Sequence, residues 1–186
     1  MNATPTAADR LAELLRASIR TGEVKLASGR TTDFYIDGRL VTLSPRGLKL
    51  VAELAFHRLR GRCTAVGGPT SGADPIVAAI GLEALAHGVE LKTFFTRGQA
   101  KQHGMQRRLE GPPLSAADRV VLVDDVATSG GSLIKAAEAV REETGATVAE
   151  ALVIVDREEG AGEALAAAGL QLLALFARHE LVRSSV

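Results

Sequence analysis

The chain is poor in the features that mark several common protein classes. It has one cysteine, Cys63, and no tryptophan. A single cysteine excludes an internal disulfide, and such a chain suits a reducing cytoplasmic setting. No charge of one sign dominates, because 22 Lys plus Arg balance 22 Asp plus Glu. That balance speaks against a general nucleic-acid or membrane-surface binder, though it leaves room for a local basic patch. No apolar run approaches the ~20 residues needed to cross a bilayer. Met1–Arg10 is polar and lacks the apolar centre of a secretory signal. No His, Cys and carboxylate cluster suggests a metal site built from protein alone. Repeats and low-complexity linkers are absent too. What remains is 186 residues, 46% of them apolar, enough for one domain with a sizeable core.

Periodicity divides the chain into alternating elements. Thr6 followed by Asp9 reads as a capped helix start, and Leu11, Leu15 and Ile19 fall on one helical stripe. Glu23–Arg39 holds two short extended segments. Ser44-Pro45 is an N-cap with proline at the first helical position, opening an amphipathic helix that stops near Gly61. From there strands are expected at Thr64–Val66, Leu91–Thr96, Arg119–Val123, Thr147–Val155 and Leu170–Leu175. Helices are expected from Asp74 to about His87, over Gly131–Glu143, over Gly162–Ala168 and in the tail. Gln99–Pro113 is polar and basic and reads as an exposed loop or hairpin. His57, His87 and His179 fall on helix or tail patterns and are expected at the surface or in packing. Strand–helix alternation with continuous apolar strands predicts an α/β fold, a mostly parallel sheet flanked by helices. Ligands of such sheets sit at the carboxyl ends of the strands. Here those ends are Gly67–Gly72, Asp124–Ser132 and Asp156-Arg157, which predicts one shared site.

The richest strand end is Asp124-Asp125-Val126-Ala127-Thr128-Ser129-Gly130-Gly131-Ser132. A turn of small residues before a helix exposes backbone N–H groups at the positive end of the helix dipole, which favours a phosphate. Thr128, Ser129 and Ser132 add hydroxyl donors. The loop lacks the Gly-Lys-Ser/Thr of a nucleoside-triphosphate loop and the Gly-x-Gly-x-x-Gly of a dinucleotide site. Carboxylates beside a phosphate cradle would repel it, so the two acids are expected to accept hydrogen bonds from sugar hydroxyls. Successive strand side chains point to opposite faces, so Asp124 and Asp125 are expected to do different jobs.

The run VVLVDDVATSGGS resembles the phosphoribosyl pyrophosphate (PRPP) signature of the type I phosphoribosyltransferases. The resemblance implies that Asp124 and Asp125 meet the ribose hydroxyls and that residues from Val126 and Ala127 to Ser132 hold the 5-phosphate. Four further segments resemble the orotate phosphoribosyltransferase family. The first is Lys25 to Arg30 followed by Asp33-Phe34-Tyr35-Ile36-Asp37. It implies that Lys25 reaches the substrates and that Phe34 and Tyr35 lie against the orotate ring. In a chain with six aromatics, an adjacent pair beside basic residues suits a flat base. The second is Gly67–Pro75, which implies contact with pyrophosphate, although Ser71 stands where many members have lysine. The third, Arg97 to Gly104, is similar to a mobile catalytic loop. It implies that Arg97, Lys101 and His103 clamp the leaving group. There Gly98 replaces a common lysine, and either Arg107 or Arg108 compensates or pyrophosphate is held more loosely. The fourth is Val153 to Glu158, in which Arg157 would pair with the orotate carboxylate. A guanidinium fork suits a carboxylate.

The resemblance implies a type I phosphoribosyltransferase-like core (residues 44–186) under a small N-terminal hood (residues 1–43). It implies transfer of the phosphoribosyl group from PRPP to orotate, with Lys101, His103 and Asp125 catalytic and Thr128 serving both substrates. Mg²⁺ would enter through PRPP rather than through a protein cluster. It also implies a cytoplasmic homodimer that shares the loop from Arg97 to Gly111, so that Lys101 and His103 act on the neighbour's site. Two alternatives stay open: transfer to another base, and a non-catalytic PRPP-sensing regulator.

Overall fold

The structure, a computed structural model, describes residues 4–25, 31–98 and 107–182. Helix α1 (Ala7–Ala17) starts where the sequence predicts it. The Thr6 hydroxyl accepts from the Asp9 N–H at 3.1 Å, and the Asp9 carboxylate accepts from the Thr6 N–H at 2.9 Å. Leu11 and Leu15 are buried. The helical stripe does not extend to Ile19, which begins strand β1 (Ile19–Lys25) after Ser18 has closed the helix. β1 pairs antiparallel with β2 (Thr31–Ile36), so the two extended segments form a hairpin. A single turn, α2 (Arg39–Thr42), leads to α3 (Pro45–Leu59), whose cap Ser44 accepts from the Gly47 N–H at 3.0 Å.

Alternation then runs β3 (Ala65–Pro69), α4 (Ala73–Ala86), β4 (Lys92–Thr96), β5 (Leu109–Glu110), β6 (Arg119–Ala127), α5 (Gly131–Thr144), β7 (Thr147–Asp156), α6 (Ala161–Ala167), β8 (Gln171–Ala177) and α7 (Arg178–Leu181). The polar segment after β4 therefore contributes a two-residue strand, β5, antiparallel to β4. The tail contributes one helical turn, α7. β6 is longer than its apolar run, because both aspartates and Ala127 stay in the strand.

The sheet order is β5-β4-β3-β6-β7-β8, parallel apart from β5. Its two faces carry separate apolar layers. Val121 and Val123 of β6 join α1, α3, α4 and the hairpin residues Phe34 and Ile36. Val120 and Leu122 join the α5 residues Leu133 and Ala137 and the α6 residue Leu165. This alternation explains why β6 is apolar without a break. The chain builds outward from β3 to β4, then crosses to the other side of β3 to lay down β6. The crevice at the carboxyl ends of β3 and β6 is thus the switch point at which such sheets bind ligands.

Close approach at that switch point requires glycine. A Cβ on Gly68 would lie 2.1 Å from the Val123 carbonyl oxygen and 2.5 Å from the Ala73 Cβ. Overpacking of this kind costs about 1–3 kcal/mol. Gly68→Ala is therefore expected to lower the urea midpoint by that amount of stability with an unchanged denaturant slope, as measured by equilibrium unfolding.

Candidate functional site

A cleft of about 310 Å³ opens at the ends of β3 and β6. Its floor is the acid pair of β6. Residues 69–72 form one side, and the hairpin end with Tyr35 and residues 36–39 forms another. The three strand ends singled out in the sequence converge here, since Arg157 after β7 also lines the cleft.

The acids do not point apart as strand alternation predicts. Asp124 Oδ1 accepts from the Asp125 N–H at 3.0 Å, and Asp125 Oδ1 accepts from the Val126 N–H at 2.8 Å. These short contacts curl both carboxylates over the strand end. Their oxygens meet beside Gly72, where an added Cβ would lie 2.6 Å from Asp124 Oδ1 and 2.9 Å from Asp125 Oδ1. Gly38 leaves room on the hairpin side, because a Cβ there would sit 2.8 Å from Asp125 Oδ2. Burial and the neighbouring Asp125 charge push the Asp124 carboxyl up to about 7. Burial also raises Asp125, against the hydrogen bond from Val126 and the positive charge of Arg39. A crowded acid pair of this kind attracts hydroxyl donors or a cation.

The turn after β6 leads into α5 through Gly130, which adopts φ 75° at the helix start. An L side chain is disfavoured there. The first-turn N–H groups of α5 have no partner inside the helix and face the turn. Val126, Thr128 and Ser132 line the cleft. Ser132 donates its hydroxyl to Asp124 at 3.2 Å, which ties this turn to the acid pair. Ala127 and Gly130 are buried behind the turn, while Ser129 is exposed and Gly131 half-buried.

Arg157 is buried and serves two elements. Its backbone N–H donates to the Ala127 carbonyl at 3.0 Å, and its Nη2 donates to the Phe34 carbonyl at 2.9 Å. Phe34 is 1% exposed, its ring lies 5.8 Å from the Arg157 and 4.7 Å from the Arg178 guanidinium carbon, and it is not among the residues lining the cleft. The aromatic in the cleft is Tyr35, because alternation along β2 turns the two rings to opposite faces. Lys25 ends β1, and its side chain lies outside what the structure describes.

Arg97 lines an adjacent cleft of about 400 Å³, with Lys135 and Arg108. It pairs with Glu110 at 3.1 Å. Arg108 is engaged by Glu142 and Glu143 of α5 and lies at this adjacent cleft rather than the main one. Lys101 and His103 lie outside the described residues. His87 stacks on Phe56 at 4.9 Å, His57 meets His87 at 5.9 Å, and His179 pairs with Glu158, so these histidines serve packing and surface contacts. Two cleft residues escaped the sequence reading: Gly38 and Arg39. Their signal was weak, since a glycine or arginine in a turn is ordinary until the acid pair is known to lie against it.

Residues 42–168 match the phosphoribosyl transferase domain family. The chain is similar to the orotate phosphoribosyltransferase of Rhodopseudomonas palustris (strain BisB18), 44% identical over 182 residues that cover 94% of this chain and 96% of that one. Among solved structures it is similar to Mycobacterium tuberculosis H37Rv orotate phosphoribosyltransferase in complex with Fe(III) dicitrate, with TM-score 0.81, 36% identity and coverage of 95% and 99%. The same enzyme in complex with PRPP gives TM-score 0.78, 32% identity and coverage of 95% and 99%.

The acid pair makes a stability prediction. Asp124 binds its proton more tightly folded than unfolded, so its ionisation costs stability as pH rises from about 4 through about 7, and the full cost is present above 7. Asp124→Asn is expected to raise Tm at pH 8 by roughly 3–6 °C, the effect of about 1–2 kcal/mol in a chain of this size. By pH 4 the gain should vanish. Scanning calorimetry across that range checks it, and a difference independent of pH would remove the acid pair as its source.

Proposed function

The chain belongs to the phosphoribosyltransferases, and among them to the orotate phosphoribosyltransferases, and on that premise we propose that its cleft transfers the 5-phosphoribosyl group from PRPP to orotate. The products are orotidine 5′-monophosphate and pyrophosphate, a step of pyrimidine (UMP) biosynthesis. The observation that carries the reading is one cleft lined by an acid pair, a phosphate turn and a buried guanidinium.

PRPP lies with its 5-phosphate on the turn of residues 126–132. The turn's N–H groups and the Thr128 hydroxyl act as donors there. Its ribose hydroxyls donate to Asp124 and Asp125, which relieves the crowding of two carboxylates. Orotate lies against Tyr35, with its carboxylate toward Arg157. In the reaction the bond from ribose C1 to the pyrophosphate oxygen breaks, and its electron pair leaves with pyrophosphate. The orotate ring nitrogen forms the new bond to C1, and its proton passes to the departing pyrophosphate. Positive charge grows on the sugar beside Asp124 and Asp125, where the carboxylates stabilise it. Holding the ring nitrogen in line with C1 is the second contribution.

Among the described residues no three metal-ligating side chains converge. The acid pair nevertheless favours positive charge at the ribose end of the cleft, so Mg²⁺ carried by PRPP oxygens fits there, next to Asp124 and Asp125. When bound it neutralises charge that builds on pyrophosphate. Arg97, Lys101 and His103 clamp the leaving group from a loop at 97–111 shared within a homodimer. The hairpin side of the chain, residues 1–43, forms a hood over the core of residues 44–186. Among the described residues no helix is long and apolar enough to cross a membrane. We assign the enzyme to the cytoplasm, with small-molecule substrates and no nucleic-acid partner.

Loss of orotate absorbance with PRPP and Mg²⁺ tests the reaction, with uracil, adenine, guanine and xanthine as competing bases. Turnover of orotate alone is expected. Arg157→Lys keeps the charge but loses the fork. It is expected to raise the orotate KM about tenfold or more, the scale of a charged hydrogen bond, with the PRPP KM nearly unchanged. An unchanged orotate KM would remove Arg157 from the base site. Mixed dimers of Lys101→Ala and Asp125→Asn subunits should recover part of the activity that each lacks alone, and no recovery would sink the shared loop.

A further inference from the structure

Arg157 already has a carboxylate. Its Nη2 forms an ion pair with Glu159 Oε1 at 2.7 Å, in addition to donating to the Phe34 carbonyl at 2.9 Å. Both contacts fall on the same Nη2 group. The side chain of Arg157 is 7% exposed, whereas that of Glu159 is 31% exposed. One partner is fixed in the cleft lining and the other borders water. Glu159 Oε1 is also 3.9 Å from Arg178 Nη1, so a second cation stands beside it.

The turn that carries Glu159 is built to hold it there. Glu158 adopts φ 58° and Gly160 φ 94°, both left-handed. The Glu158 N–H donates to Asp156 Oδ1 at 2.9 Å, and Glu158 in turn accepts from the His179 N–H at 3.0 Å. The turn is therefore held at Glu158, next to Glu159, while the Glu159 side chain keeps rotatable bonds of its own.

We infer that Glu159 is an internal carboxylate that occupies Arg157 in the empty site and gives way to the carboxylate of the incoming base. This rests on reading the cleft as an orotate site. Burying a guanidinium is costly, and the ion pair with Glu159 offsets part of that cost in the empty site. A carboxylate that binds the fork through two parallel hydrogen bonds needs the Nη2 position, so Glu159 must leave it. Glu159 then turns to water and to Arg178. A base without a carboxylate cannot replace the ion pair and gains nothing from Arg157. Glu159 is thus a positioning residue that acts through Arg157. It sets base selectivity by charge exchange, at the expense of some orotate affinity.

The consequence runs opposite to that of a merely structural contact. Glu159→Gln removes the competitor, so the orotate KM is expected to fall about two- to fivefold, the scale of a partly exposed ion pair. Inhibition by the product nucleotide should tighten by a similar factor, because it carries the same carboxylate. The PRPP KM should stay unchanged. Arg178→Gln removes the alternative partner and is expected to raise the orotate KM. Should Glu159→Gln not fold, Glu159→Asp, which withdraws the carboxylate from Arg157 by one methylene, carries the same expectation. Steady-state kinetics with orotate on the full chain reads all three variants. An active wild type whose Glu159 variants show an unchanged or raised orotate KM overturns this inference alone. A wild type that does not turn over orotate overturns the reading of the site as well.

Discussion

Parallel pairing of β3 with β6 is the constraint on which the site depends. The two strands meet with Gly68 so near the Val123 carbonyl that no Cβ fits between them. That approach sets the Asp124–Asp125 end of β6 beside the loop of residues 69–72 that follows β3. Widen the contact, and the acids no longer lie against Gly72. The chemistry at the strand ends thus rests on packing one turn deeper in the sheet.

Charge in the cleft is arranged by burial as much as by residue choice. Asp124 and Asp125 share one small space, and Ser132 ties the phosphate turn to the first of them. A like-charged pair this crowded is held by the surrounding fold at a cost, as functional sites commonly are. Arg39 moderates it from the hairpin side. In the proposed reaction, sugar hydroxyls and a substrate-borne cation would complete the balance, so substrate binding would relieve what folding imposes.

Arg157 joins the two halves of the site. Through its backbone it continues the register of β6 and β7, and through its guanidinium it holds the carbonyl of Phe34 in the hairpin. Phe34 is consequently buried beside two arginines, while Tyr35 turns to the cleft. The residue proposed to meet the base thereby also positions the strand that carries Tyr35.

Much of this was legible in the chain itself. Apolar runs ending in small and acidic residues mark the strands and the phosphate turn, because a strand covered on both faces must be apolar throughout and its end must present backbone N–H groups. Capping signals such as Thr6 with Asp9 and Ser44 before Pro45 mark helix starts, since a cap is local in sequence. Local rules also misled where a neighbour intervened. Ile19 leaves its helical stripe to pair with Ile36, and the two aspartates abandon alternation for contacts with the N–H groups that follow them. Tertiary structure alone decided which aromatic faces the cleft, which of the basic side chains are already paired, and that Glu159 stands on Arg157. Those outcomes depend on atoms distant in sequence competing for the same space and the same hydrogen bonds, which residue order does not record.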